Sequence, residues 1–306
     1  MKQVVVTIRC AVVALLALLA GGCDRLVVLN PKGPIADAER GLLIDAFTVM
    51  MLVVVPIIIM VFWFAWRYRA RGNARYEPTW AYSVKVDAVV WLIPALIVIA
   101  VAVLLWRSTH KLDPYREIAS AAPPLDVQVV AQDWKWLFIY PEQGVASVNQ
   151  LAIPADRPIS LRITSDTVMN SFYVPALAGQ IYAMAGMQTR LQILADKPGK
   201  FVGRNTQYSG GGFSDQFFEV VAMSQADFDA WVAKVKASGN RLGLDNYADL
   251  AKPSAKDPVK YFSSVEPVLF TAVLDKYMDK SSGLKLADKI CLPAKVVAAE
   301  SKERAE

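Results

Sequence analysis

The chain has 306 residues, of which 55% are hydrophobic, and it carries a formal net charge of +5. The hydrophobic residues are concentrated in the first 106 positions, which predicts a membrane region followed by a soluble region. The Lys and Arg side chains are not gathered into one stripe, so we expect no nucleic-acid partner.

Cysteine and histidine are scarce in this sequence. The only cysteines are Cys10, Cys23 and Cys291, and the only histidine is His110. No CxxC pair occurs, which excludes a disulfide scaffold and a zinc ribbon. An ordinary protein-ligated zinc or copper site needs several such side chains, so we expect this chain to bind no metal.

Residues 1–22 have the pattern of a secretory signal, with Lys2 and Arg9 followed by an apolar run. The small residues directly before Cys23 resemble the processing site of bacterial lipoproteins. This pattern predicts that Cys23 becomes the lipid-bearing N-terminus. The alternatives are an ordinary signal peptide and a first membrane anchor that happens to end in Cys.

An N-terminal anchor and two uncharged stretches, about 46–66 and 88–106, occupy residues 23–112. Each stretch is long enough as a helix to cross about 30 Å of hydrocarbon. The connecting loop is basic, and basic loops remain in the cytoplasm. Both ends of this predicted transmembrane hairpin therefore face the periplasm. The residues that make the loop basic are Arg67, Arg69, Arg71, Arg75 and Lys85.

The soluble region follows a linker at 113–124. Residues 125–223 contain short alternating stretches such as Ile159, Leu161 and Ile163, separated by turn residues, and these predict an antiparallel β-sandwich. Residues 224–306 form a predicted C-terminal helical region and tail. A first helix follows the capping pair Ser224 and Asp227, and a second helix is predicted from about 268 to 280.

Three features are candidates for chemistry. Trp134, Trp136, Phe138 and Tyr140 alternate, so a strand would project all four from one face. That aromatic face is an electron path or a docking surface in one interpretation, and a packed sandwich face or subunit contact in the other. The glycine-rich stretch 209–214 lacks the Lys-Ser/Thr ending of a phosphate loop and is predicted to connect two strands.

Asp87 is the third feature, at the cytoplasmic start of the second apolar helix. A carboxylate there could collect protons for a partner subunit. The alternative is an interfacial charge that the dipole of the helix N-terminus favours.

Three stretches resemble subunit II of the haem–copper respiratory oxidases: DWKWLFIYPEQG at 133–144, VMNSFYVP at 168–175 and QIYAMAGMQ at 180–188. The resemblance covers nearly the whole chain after the signal sequence. It implies a cupredoxin-like sandwich that packs against a catalytic subunit I, which holds the haems.

Members of that family that oxidise cytochrome c carry a dinuclear copper centre in the sandwich. Its ligands are one early His, two Cys four residues apart, a His four further on and a Met three beyond. The resemblance places these ligands at Asn170, Tyr208, Gly212, Gln216 and Glu219, so every donor is missing and no metal is expected.

The resemblance is closest to the bo-type ubiquinol oxidases. It implies a non-catalytic subunit II of a proton-pumping quinol oxidase that reduces oxygen to water in the bacterial inner membrane. Haems, copper and quinone are then expected in subunit I, and the other partners are small membrane subunits and the lipid bilayer, without cytochrome c. Asp87 matches a position where relatives carry a Glu at the mouth of a proton-uptake path. The rival hypotheses are a cytochrome c oxidase subunit II with an altered electron port and a stand-alone periplasmic binding lipoprotein.

Overall fold

The structure is a computed structural model, and it describes residues 26–69, 72, 79–120 and 122–278. The chain divides into two units, one formed by Ala38–Asp113 and the other by Met1–Asp37 with Pro114–Glu306. The predicted signal sequence, Cys23, Arg71 and Arg75 of the basic loop, and the tail after Leu292 lie outside the described residues.

The first unit consists of the two predicted apolar helices. Helix α1 spans Pro34–Arg67 and helix α2 spans Val84–Lys111, so the helices contain the predicted stretches 46–66 and 88–106. Their most apolar windows have mean hydropathies of 2.7 and 3.0, and none of the residues in those windows is buried. Because apolar side chains surround each helix, both helices require an apolar environment that this chain does not supply.

The second unit is a β-sandwich of two sheets. Their strand orders are β12-β3-β2-β1-β5-β8 and β4-β10-β9-β6-β7. The bounds of the strands are β1 Leu125–Gln132, β2 Lys135–Tyr140, β3 Val145–Val148, β4 Gln150–Pro154, β5 Ile159–Ser165, β6 Asn170–Tyr173, β7 Gln180–Ala183, β8 Thr189–Ile193, β9 Gly199–Asn205, β10 Phe217–Met223 and β12 Lys260–Phe262.

The pairing within the sheets is mixed, whereas the sequence predicts an antiparallel sandwich. Strand β1 pairs in parallel with β5, and β4 pairs in parallel with β10. The remaining pairs within the two sheets are antiparallel. Parallel partners need a long crossover, and β2–β4 and β5–β9 provide the two crossovers here.

Strand β2 is buried on both of its faces. Trp136, Phe138 and Tyr140 point into the core between the sheets. Leu137 and Ile139 point the other way, into a second apolar cluster formed with the C-terminal region. That cluster also contains Tyr247, Leu269, Phe270 and Val273. The residues on both faces of β2 are therefore apolar, as is typical of a strand that is covered on both sides.

The C-terminal region contains helices α3 (Gln225–Lys236), α4 (Leu244–Leu250) and α5 (Leu269–Met278). As predicted, the Ser224 side chain caps α3 by accepting a hydrogen bond from the Asp227 N–H at 3.2 Å. The prediction of a helical region is incomplete, because the region also contains β12 and the short pair β11 (Arg241–Leu242) and β13 (Ser264–Val265). These strands have two or three residues each, too few to show a period of two in the sequence.

Two buried polar side chains fasten the C-terminal region to the sandwich. The Lys135 ammonium group donates to the Lys252 carbonyl at 2.7 Å and to the Ser254 hydroxyl, and it lies 3.8 Å from the Asp257 carboxylate. Burial lowers the pKa of Lys135, and the charge of Asp257 opposes this shift. The Asn149 amide donates to the Asp257 carbonyl at 2.9 Å.

An ion pair between Asp166, which follows β5, and Lys276 of α5 also connects the C-terminal region to the sandwich. The charged atoms of this pair are 2.9 Å apart. The Asp166 side chain is 1% exposed and the Lys276 side chain is 22% exposed. We expect Lys276→Met to lower the free energy of unfolding by about 2–4 kcal/mol at pH 7, because it leaves a buried carboxylate without its cation. Urea titration of the soluble region, followed by tryptophan fluorescence, measures the change.

The pKa of Asp166 determines how the loss of stability in Lys276→Met should change with pH. Burial raises the pKa of Asp166, while the hydrogen bond from Lys276 opposes that shift. Without the lysine the pKa rises further, so the folded state holds the proton more tightly than the unfolded state does. The loss in Lys276→Met should therefore shrink as the pH falls from 7 to 5. The double variant Lys276→Met/Asp166→Leu should lose less than the single one, and equal losses at both pH values would contradict the assignment.

Candidate functional site

A network of buried amide and hydroxyl side chains lies at the end of the sandwich where β6 begins and β9 ends. Asn205, the last residue of β9, is at its centre. Its side-chain amide group donates to Asn170 Oδ1 at 2.7 Å, to Gln216 Oε1 at 2.8 Å and to Ser209 Oγ at 3.1 Å. Ser209 and Gln216 are brought to this point by the connection 206–216 between β9 and β10.

The remaining polar atoms of the network are also paired. Asn205 Oδ1 accepts from the backbone N–H groups of Ser171 at 2.8 Å and Gln207 at 3.0 Å. Gln216 Nε2 donates to Asn170 Oδ1 at 3.1 Å and to the Gln132 carbonyl at 3.2 Å. Asn170, Asn205 and Gln216 are all buried. Since buried polar groups need partners, this network fixes the conformation of the surrounding loops.

The structure does not gather the five positions predicted from the copper-site resemblance. Asn170 and Gln216 belong to the network, but the Tyr208 side chain is 72% exposed. Gly212 lies under the indole of Trp134. Glu219 lies on β10, where its carboxylate pairs with Lys200 at 3.0 Å. Three of the five positions are therefore apart from the network.

The four later ligand positions can be moved three residues toward the N-terminus without changing their spacing. Three of the shifted positions then lie in the polar network. The shifted alignment places the two Cys positions at Asn205 and Ser209, the later His at Phe213 and the Met at Gln216. Asn205 and Gln216 both donate to Asn170, the position of the early His, and Ser209 joins the network through Asn205 and Gln216. We therefore propose this alignment in place of the predicted positions Tyr208, Gly212 and Glu219, which lie apart from the network. With every ligand type replaced, spacing alone could not fix the alignment.

This set of side chains does not fit copper. Dinuclear copper requires bridging thiolates and imidazoles, whereas the proposed positions offer amides, a hydroxyl and a phenyl ring. The amide oxygens of Asn170 and Gln216 already accept hydrogen bonds within the network. Across the described residues, no three His, Cys, Asp or Glu side chains are grouped to hold a metal ion.

The four aromatic residues predicted to share a face do not all do so. Trp136, Phe138 and Tyr140 lie in the sandwich core, but Trp134 precedes β2 in a turn, with φ of 67°. The Trp134 indole N–H donates to the Ser209 carbonyl at 3.1 Å, so the ring covers the glycine-rich connection. A Cβ atom on Gly212 would come within 2.2 Å of that ring, which explains the need for glycine there.

Two members of the network, Asn205 and Ser209, are absent from the sequence-based site. Ser209 is predicted above only as the start of a connection between strands. The spacing of Asn205, Ser209 and Gln216 equals that of both copper-binding Cys and the Met, but the predicted set has the same spacing, so the sequence carries no signal that singles out Asn205 and Ser209. Asp87 belongs to the other unit, in the first turn of α2, where its N–H donates to the Ser83 carbonyl at 2.9 Å.

Comparison with known proteins shows the family to which this chain belongs. Residues 142–223 match the family "Cytochrome C oxidase subunit II, periplasmic domain", and residues 236–281 match the "COX Aromatic Rich Motif". A solved structure that this chain resembles is the periplasmic domain of cytochrome oxidase subunit II from Bradyrhizobium japonicum. The match covers 39% of this chain and 98% of that domain, with 21% sequence identity and a TM-score of 0.37. The family match over residues 142–223 gives the class of the sandwich, which is that of oxidase subunit II periplasmic domains.

Two relatives are similar over most of their length. The cytochrome bo(3) ubiquinol oxidase subunit 2 of Pseudomonas aeruginosa is 51% identical over 85% of this chain and 79% of its own. The ubiquinol oxidase subunit 2 of Acetobacter aceti is 49% identical over 87% of this chain and 89% of its own. The chain belongs to the ubiquinol oxidase subunit 2 family. The predicted family and fold class are confirmed, and the chain is membrane-anchored with a periplasmic domain.

Proposed function

We propose that the chain is subunit II of a proton-pumping terminal quinol oxidase, which oxidises ubiquinol and reduces oxygen to water. The observation that carries this proposal is the polar network around Asn205, at the end of the sandwich where β6 begins and β9 ends. In the alignment proposed above, the amide and hydroxyl groups of this network take positions that the family resemblance gives to copper ligands. A domain with this set of side chains cannot pass electrons through a copper pair, so the electrons must reach the oxidase from within the membrane.

The chain itself is non-catalytic in this proposal. Haems, the copper of the oxygen site and quinone belong to subunit I, and this chain contributes assembly and packing. The Trp134 indole and the Asn205 network hold the loops at that end of the sandwich in one conformation. The C-terminal region is fastened to the sandwich through Lys135 and Asp166, which makes the periplasmic domain a single rigid partner for subunit I.

The test is purification of the complex through an affinity tag on this chain. We expect haem absorption in the purified complex, oxidation of ubiquinol much faster than of reduced cytochrome c, and copper that remains with subunit I after dissociation. Preferential oxidation of cytochrome c would favour the altered-port hypothesis. Purification without a haem-bearing membrane protein would favour a stand-alone lipoprotein.

The topology is part of the proposal. Both α1 and α2 cross the inner membrane, the basic loop between them is cytoplasmic, Cys23 carries lipid, and small membrane subunits complete the complex. The apolar surfaces of both helices and the positive charges Arg67, Arg69 and Lys85 support this arrangement. Mass spectrometry of the mature N-terminus tests lipidation, and a Cys23→Ser chain should lack the added lipid mass.

Asp87 is proposed to deliver protons to an uptake path in subunit I. We expect Asp87→Asn to lower the oxygen consumption of the assembled complex by at least severalfold, because the amide cannot exchange a proton. Asp87→Glu should retain most of the turnover. Oxygen electrode measurements at equal haem content provide the comparison.

The matched control is Asp45→Asn, which removes a carboxylate from α1 just before its apolar stretch, on the opposite side of the membrane in this topology. That variant should keep the turnover of the unaltered complex. If Asp87→Asn and Asp45→Asn behaved alike, Asp87 would be an ordinary interfacial charge.

A further inference from the structure

The outer face of the larger sheet carries two arginines directly opposite each other. Arg162 on β5 pairs with Arg190 on β8, and Ser160 pairs with Gln192 one step along the same face. Asp126 on β1 pairs with Ser160 and lies on that face too. Like charges on opposed residues of paired strands destabilise a sheet unless an anion lies between or above them.

Both arginines have hydrogen-bond donors to spare. Arg162 Nη2 is 3.9 Å from the Asp126 carboxylate, a long ion pair, and its Nε is buried without a hydrogen-bond partner. Arg190 is exposed, and within the described part of the chain it has no acidic group within 4.0 Å. A buried donor without a partner is unfavourable, and a ligand with acceptor oxygens would offer it one.

The linker before β1 forms the other wall of a cavity of about 800 Å³ over this face. The linker is held to the sheet by hydrogen bonds from the Gln192 N–H to the Pro114 carbonyl at 3.3 Å and from Arg157 Nε to the Pro123 carbonyl at 2.9 Å. Glu117 and Asp126 also line the cavity. The cavity therefore presents two cationic and two anionic side chains to a single ligand.

We propose that this cavity binds a zwitterionic phosphoester headgroup, that of a phosphatidylethanolamine-type lipid. The phosphate accepts hydrogen bonds from Arg162 and Arg190, whose guanidinium groups match its geometry. The ammonium group lies against Asp126 and Glu117. A simple anion would supply no cation for Glu117 and would leave Asp126 with only its long ion pair to Arg162.

The position of the cavity in the chain favours a lipid over a free phosphoester. Glu117 follows Lys111, the last residue of α2, by six positions, and six residues reach at most about 20 Å. The headgroup layer begins where the apolar part of α2 ends. This step rests on the proposed crossing of the membrane by α2, whereas the binding chemistry of the cavity does not.

The test uses the intact oxidase complex in detergent, delipidated and then titrated with short-chain phosphatidylethanolamine under native mass spectrometry. The variant Arg162→Gln/Arg190→Gln should bind this lipid at least tenfold more weakly than the unaltered complex. The control Lys197→Gln/Arg204→Gln removes two exposed positive charges outside the cavity and should leave the affinity unchanged. Equal binding by all three complexes would overturn the proposal.

Further arms separate the ligand classes. Short-chain phosphatidylglycerol and inorganic phosphate lack the ammonium group and should bind more weakly than phosphatidylethanolamine. In Glu117→Gln/Asp126→Asn, phosphatidylethanolamine should lose its advantage over phosphatidylglycerol while phosphatidylglycerol still binds, whereas an unfolded domain would bind neither lipid. Glycerophosphoethanolamine binding as tightly as the lipid would assign the cavity to a free phosphoester and overturn the lipid assignment. Ubiquinol turnover, measured alongside, reports on the proposed function independently of the lipid.

Discussion

Restoring copper ligands at the proposed positions is expected to turn the polar network into a dinuclear copper site. The substitutions are Asn170→His, Asn205→Cys, Ser209→Cys, Phe213→His and Gln216→Met. The side chains of Asn170, Asn205, Ser209 and Gln216 form one hydrogen-bonded network, so four of the five new ligands are placed close together, and Phe213 is chosen from the ligand spacing. The soluble region should then bind two copper ions per chain and show purple mixed-valence absorption.

The alternative alignment supplies a control with the same number and types of ligands. It combines Asn170→His, Tyr208→Cys, Gly212→Cys, Gln216→His and Glu219→Met. Tyr208 is exposed, and a side chain at Gly212 would collide with the Trp134 indole, so these ligands cannot converge. We expect this variant to bind no stoichiometric copper. Purple absorption from the control, or from neither variant, would refute the proposed alignment.

The fold was predictable where a long or regular pattern determined it. Uncharged stretches of helix-spanning length predict α1 and α2, because a helix satisfies all the backbone groups of a single segment within that segment. Alternation at Ile159, Leu161 and Ile163 predicts β5, whose odd-numbered side chains enter the core. The parallel pairs β1–β5 and β4–β10 were not predictable, because alternation reports which face is buried and not which strand is the neighbour.

The site was predictable in its chemistry but not in its position. The scarcity of Cys and His excludes a copper centre wherever the alignment places it. The alignment itself depends on which polar residues meet in space, and residues 35 positions apart, such as Asn170 and Asn205, carry no local signal of that contact. Trp134 departs from the predicted aromatic face for a related reason, since its positive φ belongs to a turn that the alternating pattern conceals.

The network can be tested in its native form through its central residue. We expect Asn205→Ala to lower the free energy of unfolding of the soluble region by about 3–5 kcal/mol, because several buried groups lose a hydrogen bond. The N–H groups of Ser171 and Gln207 lose their acceptor, and the amide oxygens of Asn170 and Gln216 each lose one of their two donors. Urea titration followed by tryptophan fluorescence gives the value, and Trp134 should report the loosening of the connection that it covers.

Asn240→Ala is the matched control, because Asn240 is exposed and its amide group makes one 3.2 Å hydrogen bond, to the Tyr261 carbonyl. Its loss should stay within about 1 kcal/mol, since water replaces the lost partner. Asn205→Asp separates acceptor from donor roles: the carboxylate can still accept from Ser171 and Gln207, but it faces the Asn170 and Gln216 oxygens without a proton to donate. That variant should be destabilised as well, and increasingly so as the pH rises through its raised pKa. If Asn205→Ala cost no more than Asn240→Ala, the network would not be what holds this end of the sandwich together.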